Sequence, residues 1–77
     1  MPKLPVVSGQ DLVRVLTRSG FEVHHQKGSH IILKQTRSPF ARLSVPNHKE
    51  LKRGLLLSLI REAGLTREQL ISLLAER

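Results

Sequence analysis

The sequence has no cysteine, tryptophan or tyrosine, and its only aromatic side chains of the Phe/Tyr/Trp kind are Phe21 and Phe40. Without cysteine there is neither a disulfide framework nor a thiolate metal site, and a reducing, cytoplasmic setting is expected. With so few aromatics the core must be aliphatic, and no aromatic pair is present to stack nucleotide bases. Long apolar runs are missing too. The most hydrophobic stretch, Leu55 to Ile60, falls far below the roughly 20 residues that cross a bilayer, and no signal-peptide pattern opens the chain, so a soluble protein without membrane contact is expected. Acid is also scarce, with six Asp and Glu against thirteen Lys and Arg for a net charge of +7.

What is present is enough for one small domain. A chain of 77 residues can support a single core, because smaller units barely offset the entropy of ordering the backbone. Residues 1–77 are read as that domain, with 1–7 a flexible, proline-containing lead. The basic charge is concentrated. From His24 to Arg53 the cations are Lys27, Lys34, Arg37, Arg42, Lys49, Lys52 and Arg53, and the only acid is Glu50. Such a segment favours a polyanionic partner.

Local signals give the element order. Ser8 and Asp11 have capping-box spacing, Leu12, Val15 and Leu16 recur at helical intervals, and Gly20 stops the helix. Phe21–Gln26 and His30–Gln35 read as a β-hairpin joined by the three residues Lys27, Gly28 and Ser29. Phe40–Val45 reads as a third strand ended by Pro46. Alternation then puts Ile31, Leu33, Ala41, Leu43 and Val45 on the covered face and His30, Ile32, Lys34 and Arg42 on the open one. A second helix has two candidate starts, a box at Asn47/Glu50 or a later one near Gly54, and the basic turn favours the later. Gly64-Leu65 closes it in Schellman fashion, and Thr66/Gln69 opens a third helix. The expected fold is a small two-layer α+β domain, a three-stranded antiparallel sheet with helices on one face, in the order α-β-β-β-α-α.

With these elements placed, the chain resembles the HicA, or YcfA-like, family of toxin ribonucleases. The resemblance rests on Ser8-Gly9, Gly20-Phe21, Gln26-Lys27-Gly28-Ser29-His30, Val45-Pro46 followed by His48, Glu50-Leu51-Lys52 with Gly54, and Ala63-Gly64-Leu65. It spans Ser8 to Leu74, and Lys-Gly-Ser-His in a hairpin is its most specific element. The chain departs at Ile31, where many relatives carry a second histidine, and at Leu55, where they carry threonine. The resemblance implies a double-stranded-RNA-binding-domain-like fold, ribosome-independent cleavage of mRNA by a type II toxin, catalysis at His30, and silencing by a HicB-type antitoxin.

The chemistry suits those residues. RNA carries its own nucleophile in the 2′-hydroxyl, so cleavage needs positioning and proton transfer rather than a metal or covalent intermediate. An imidazole exchanges protons near neutrality, which makes His30 the candidate general base. Gly28 permits close approach of backbone to phosphate, and Ser29 or adjacent amides can donate to a non-bridging oxygen. Lys27, Lys34, Arg42, His48, Lys49, Lys52 and Arg53 are candidate RNA or phosphate contacts, and the leaving oxygen could take its proton from His48, a lysine or water. His24 and His25 should point to opposite faces of their strand, one on the surface and one semi-buried, so no metal site and no cofactor is expected.

Other readings use the same cations. The main one is a non-catalytic RNA-binding module of the same fold, separable by His30→Ala, which would spare binding. Single-stranded or messenger RNA is the expected target. Direct DNA binding through the last two helices is disfavoured, because Glu68 and Glu76 balance Arg67 and Arg77 and leave no net charge for phosphate. An acidic antitoxin covering His30, with Ile32 and Phe40 as apolar anchors, would silence the protein by occlusion.

Overall fold

A computed structural model describes residues 4–76. The elements are α1 (Gly9–Thr17), β1 (Phe21–Lys27), β2 (His30–Gln35), β3 (Arg42–Pro46), α2 (Arg53–Glu62) and α3 (Arg67–Ala75), which is the expected order. The strands form one antiparallel sheet, β1-β2-β3. On one face α1 packs against β1 and β3, α2 packs against β3, and α3 packs against α1.

The helix starts follow local chemistry. Ser8 caps α1 through a complete box, its Oγ accepting from the Asp11 N–H at 3.0 Å while the Ser8 N–H donates to Asp11 Oδ2 at 3.1 Å. Thr66 and Gln69 make the same reciprocal pair at α3. Each box satisfies two amides that the helix itself leaves unpaired. The later start of α2 is the one observed. Lys52 occupies its cap without a side-chain hydrogen bond, and the Asn47/Glu50 box is unused. At the other end Leu65 N–H reaches Ile60 O and Gly64 N–H reaches Arg61 O, the paired bonds of a Schellman ending.

The core is aliphatic apart from Phe21. Leu12, Leu16, Leu33, Val45, Leu56 and Leu70 are fully or almost fully removed from solvent, and the described residues include no buried polar or charged side chain. Ile31, Leu33, Leu43 and Val45 are buried as alternation requires, while His30, Lys34 and Arg42 are exposed.

Four expectations need correction. Met1 to Lys3 of the presumed flexible lead lie outside the described residues, but Val7 is a core residue at 0% exposure and its carbonyl accepts from Leu51 N–H at 2.8 Å. The hairpin turn has two residues rather than three, because Lys27 pairs with His30. Gly28 takes φ +60° at the first central position, where a type II′ turn favours glycine. Phe40 is not in a strand. It adopts φ +58° in a turn closed by its N–H to Arg37 O, and β3 begins at Arg42. Finally, β1 does not alternate throughout: the register slips between Val23 and His25, leaving His24 as an extra residue.

Candidate RNA-cleaving face

The first residue of β2 is His30, which stands on the open side of the sheet. Its backbone partners are Lys27 on β1 and Pro46 on β3, so a cation flanks it on the hairpin side. Both His30 and Lys27 are exposed. Along the open side the sequence-predicted residues form two ranks. His30, Lys27 and the Gly28–Ser29 turn gather at one end, whereas Lys34 and Arg42 pair with each other at the far end. Four residues of extended chain put the ranks roughly 13 Å apart. Lys34 also faces Glu22 across β1, so the far rank carries an acid that the near one does not.

Asn47 ties the near rank to the rest of the molecule. Its N–H donates to Ser29 O at 2.6 Å, its Oδ1 accepts from Gln10 Nε2 at 3.0 Å, and the next residue, His48, accepts from Gly9 N–H at 2.9 Å. The hairpin turn is thus fastened to the start of α1 through residues 47–48. This approach leaves no room at Gly9: a Cβ there would collide with Pro46 O and sit 3.1 Å from Asn47 Cα. Read from sequence, Asn47 is no more than a candidate helix cap. Its tie joins residues distant along the chain and has no local signature.

His48 and Lys49 follow the tie and are exposed. Lys52 and Arg53 come after the chain has passed through buried Leu51, and they stand at the start of α2, whose first turn contains no acid. The positive end of that helix adds to their charge. The structure therefore brings together Lys27, Gly28, Ser29 and His30, places His48 and Lys49 directly after Asn47, whose N–H bonds Ser29 O, and leaves Lys34 with Arg42, and Lys52 with Arg53, as separate cationic groups.

His24 and His25 overturn the opposite-face expectation. Both are exposed, and their Nδ1 atoms lie 2.7 Å apart with the rings nearly edge to face at 72°. The cause is the register slip, because a bulge residue breaks the two-residue alternation and lets consecutive side chains share a side. His25 consequently pairs with Ile32 on the open side. Among the described residues no group of three or more His, Cys, Asp and Glu is placed to hold a metal ion.

The open side of the sheet thus carries a strand-borne histidine beside a glycine turn and cations. A family profile described as HicA toxin of bacterial toxin-antitoxin matches residues 9–65. The chain belongs to the HicA toxin family, a family whose members are generally ribonuclease toxins held in check by an antitoxin. No curated protein matched the sequence. Among the described residues no helix is long and apolar enough to cross a membrane.

Proposed function

We propose that this protein is a metal-independent endoribonuclease that cuts messenger RNA without the ribosome, acting in the cytoplasm as one functional unit. The observation that carries the reading is His30, exposed beside Lys27 and the Gly28–Ser29 turn, in a chain of the HicA family. His30 takes the proton from a ribose 2′-hydroxyl as that oxygen attacks the adjacent phosphorus. The 5′-oxygen leaves, and the upstream fragment ends in a 2′,3′-cyclic phosphate. A well-placed base of this kind contributes about 10²–10⁴-fold. Lys27 and the turn amides hold the phosphate at the cut, while Lys34, Arg42, His48, Lys49, Lys52 and Arg53 hold the strand on either side.

The antitoxin is proposed to be of the HicB type, acidic, and seated over His30. Phe40, 59% exposed, and the half-buried Ile32 give it apolar purchase.

Induced expression of the wild type beside His30→Ala, scored by growth and by integrity of cellular mRNA, tests the reading. The wild type should stop growth and fragment mRNA, purified protein should cut transcripts in the presence of EDTA, and His30→Ala should bind RNA without cutting. Equal toxicity of the two forms with intact mRNA would favour the non-catalytic binding module instead.

A further inference from the structure

Cleavage by proton transfer needs a second group, one that gives a proton to the departing 5′-oxygen. We infer that His25 is this general acid and that His24 is the residue that positions it, an assignment that rests on the nuclease reading above. Three observations converge. The bulge turns His25 to the open side, where it pairs with Ile32. Because Lys27 pairs with His30, His25 is the diagonal neighbour of His30 across the β1–β2 ladder. The third is the 2.7 Å contact between the two Nδ1 atoms, which fixes the ring of His25.

The spacing suits the reaction. Diagonal neighbours on one face have side chains rooted about 7–8 Å apart. In-line displacement puts attacking and leaving oxygens on opposite sides of one phosphorus. With hydrogen bonds of ordinary length, the two reacting nitrogens then stand about 6–9 Å apart. Lys27 lies nearer to His30 but is a poorer donor, since an imidazolium releases its proton near neutrality far more readily than an ammonium.

The contact also fixes the roles of the ring nitrogens. His24, carrying its proton on Nε2, accepts at Nδ1. His25 in its cationic form donates Nδ1–H to that acceptor and presents Nε2–H to the substrate. As the 2′-oxygen bonds to phosphorus and the P–O5′ bond breaks, the Nε2 proton of His25 passes to O5′, and His30 holds the proton taken from the 2′-hydroxyl. His25 ends neutral, still bonded to His24, and no further reactant is needed. The support His24 gives is that of any group orienting a catalytic imidazole through its other nitrogen.

The test uses an oligoribonucleotide that the wild type cuts at one mapped linkage, and the same oligonucleotide with the bridging 5′-oxygen there replaced by sulfur. A thiolate leaves without protonation, so loss of a general acid matters little on the sulfur substrate. Folding of each variant is checked by circular dichroism. His25→Ala should lose about 10²–10⁴-fold in kcat on the oxygen substrate and stay within about tenfold of wild type on sulfur. His30→Ala should fail on both. His24→Ala should show a smaller loss confined to oxygen, and His24→Asn, which retains an acceptor near the old Nδ1 position, should recover part of it. Equal losses of His25→Ala on the two substrates, no loss on either, or a rise in KM at unchanged kcat would overturn the assignment, the last pointing to base stacking. If the wild type cuts neither substrate, or His30→Ala cuts as the wild type does, the nuclease reading itself falls.

Discussion

Gly9→Ala is predicted to be severe although the new residue is the best helix former. The gain is small: alanine at a helical position, together with a less flexible unfolded chain, favours folding by about 0.5–1 kcal/mol. Against it stands the collision of the new methyl with Pro46 O and its 3.1 Å approach to Asn47 Cα. These are backbone atoms, held by the bond from Asn47 N–H to Ser29 O, and cannot swing aside as a side-chain tip would. Relief requires α1 and residues 46–48 to separate. The overpacking costs about 1–3 kcal/mol, and losing the 2.9 Å bond from Gly9 N–H to His48 O costs about 1 kcal/mol more. The balance is a destabilisation of about 1–3.5 kcal/mol, which for a domain of this size lowers Tm by roughly 5–25 °C. Because the chain has neither tryptophan nor tyrosine, the assay is thermal unfolding followed by circular dichroism. Gly54→Ala is the matched control: nothing lies within 4 Å of its Cβ position, on helix α2, so it should stabilise by about 0.5 kcal/mol. A Gly9→Ala protein melting within a few degrees of wild type would refute the close-approach argument.

Leu33→Ala, at a fully buried position of the central strand, should cost about 2–5 kcal/mol in urea unfolding. The carboxyl of Asp11 is held below the ordinary carboxylate range, first by the Ser8 N–H, then by the Ser8 hydroxyl, opposed by burial and helped last by the charge of Arg14. Its contribution to stability is therefore complete above the usual carboxylate range and is lost as pH falls through the lowered value of the folded state. Asp11→Asn should flatten the acid limb of a stability-against-pH curve below about pH 4. Lys27→Ala should weaken RNA binding and lower the slope of log K against log salt by about 0.7. Lys34→Ala should do less, because Glu22 faces it, and Glu22→Gln should tighten binding; filter binding at several salt concentrations reads all three.

Much of this architecture was legible because it is set by neighbours in sequence. The capping boxes at Ser8 and Thr66 involve groups three residues apart, and the two faces of β2 follow from a period of two. His30 falls on the open side for the same reason, whereas Lys27, read from sequence as a turn residue, belongs to β1. What could not be read depends on residues distant along the chain. The slip at His24 is a matter of register against β2, so plain alternation sent His25 to the wrong side. Val7 has no periodic company; its side chain joins the core while its carbonyl accepts from Leu51 N–H, a partner distant along the chain. Phe40 looked like a strand residue by side-chain type, but its backbone is committed to the turn before β3. Asn47 offered only a capping signal that α2 does not use.

The slip in β1 also bears on solubility. As a border strand of a three-stranded sheet, β1 offers backbone groups to which a second molecule could add a strand. A bulge spoils that template, as does an outward lysine such as Lys27. Excising His24 would leave Val23 against Leu33 and His25 against Ile32 with no interruption. The resulting straight border would invite copies to polymerise edge to edge, so the irregularity that gathers the imidazoles is also a guard against aggregation.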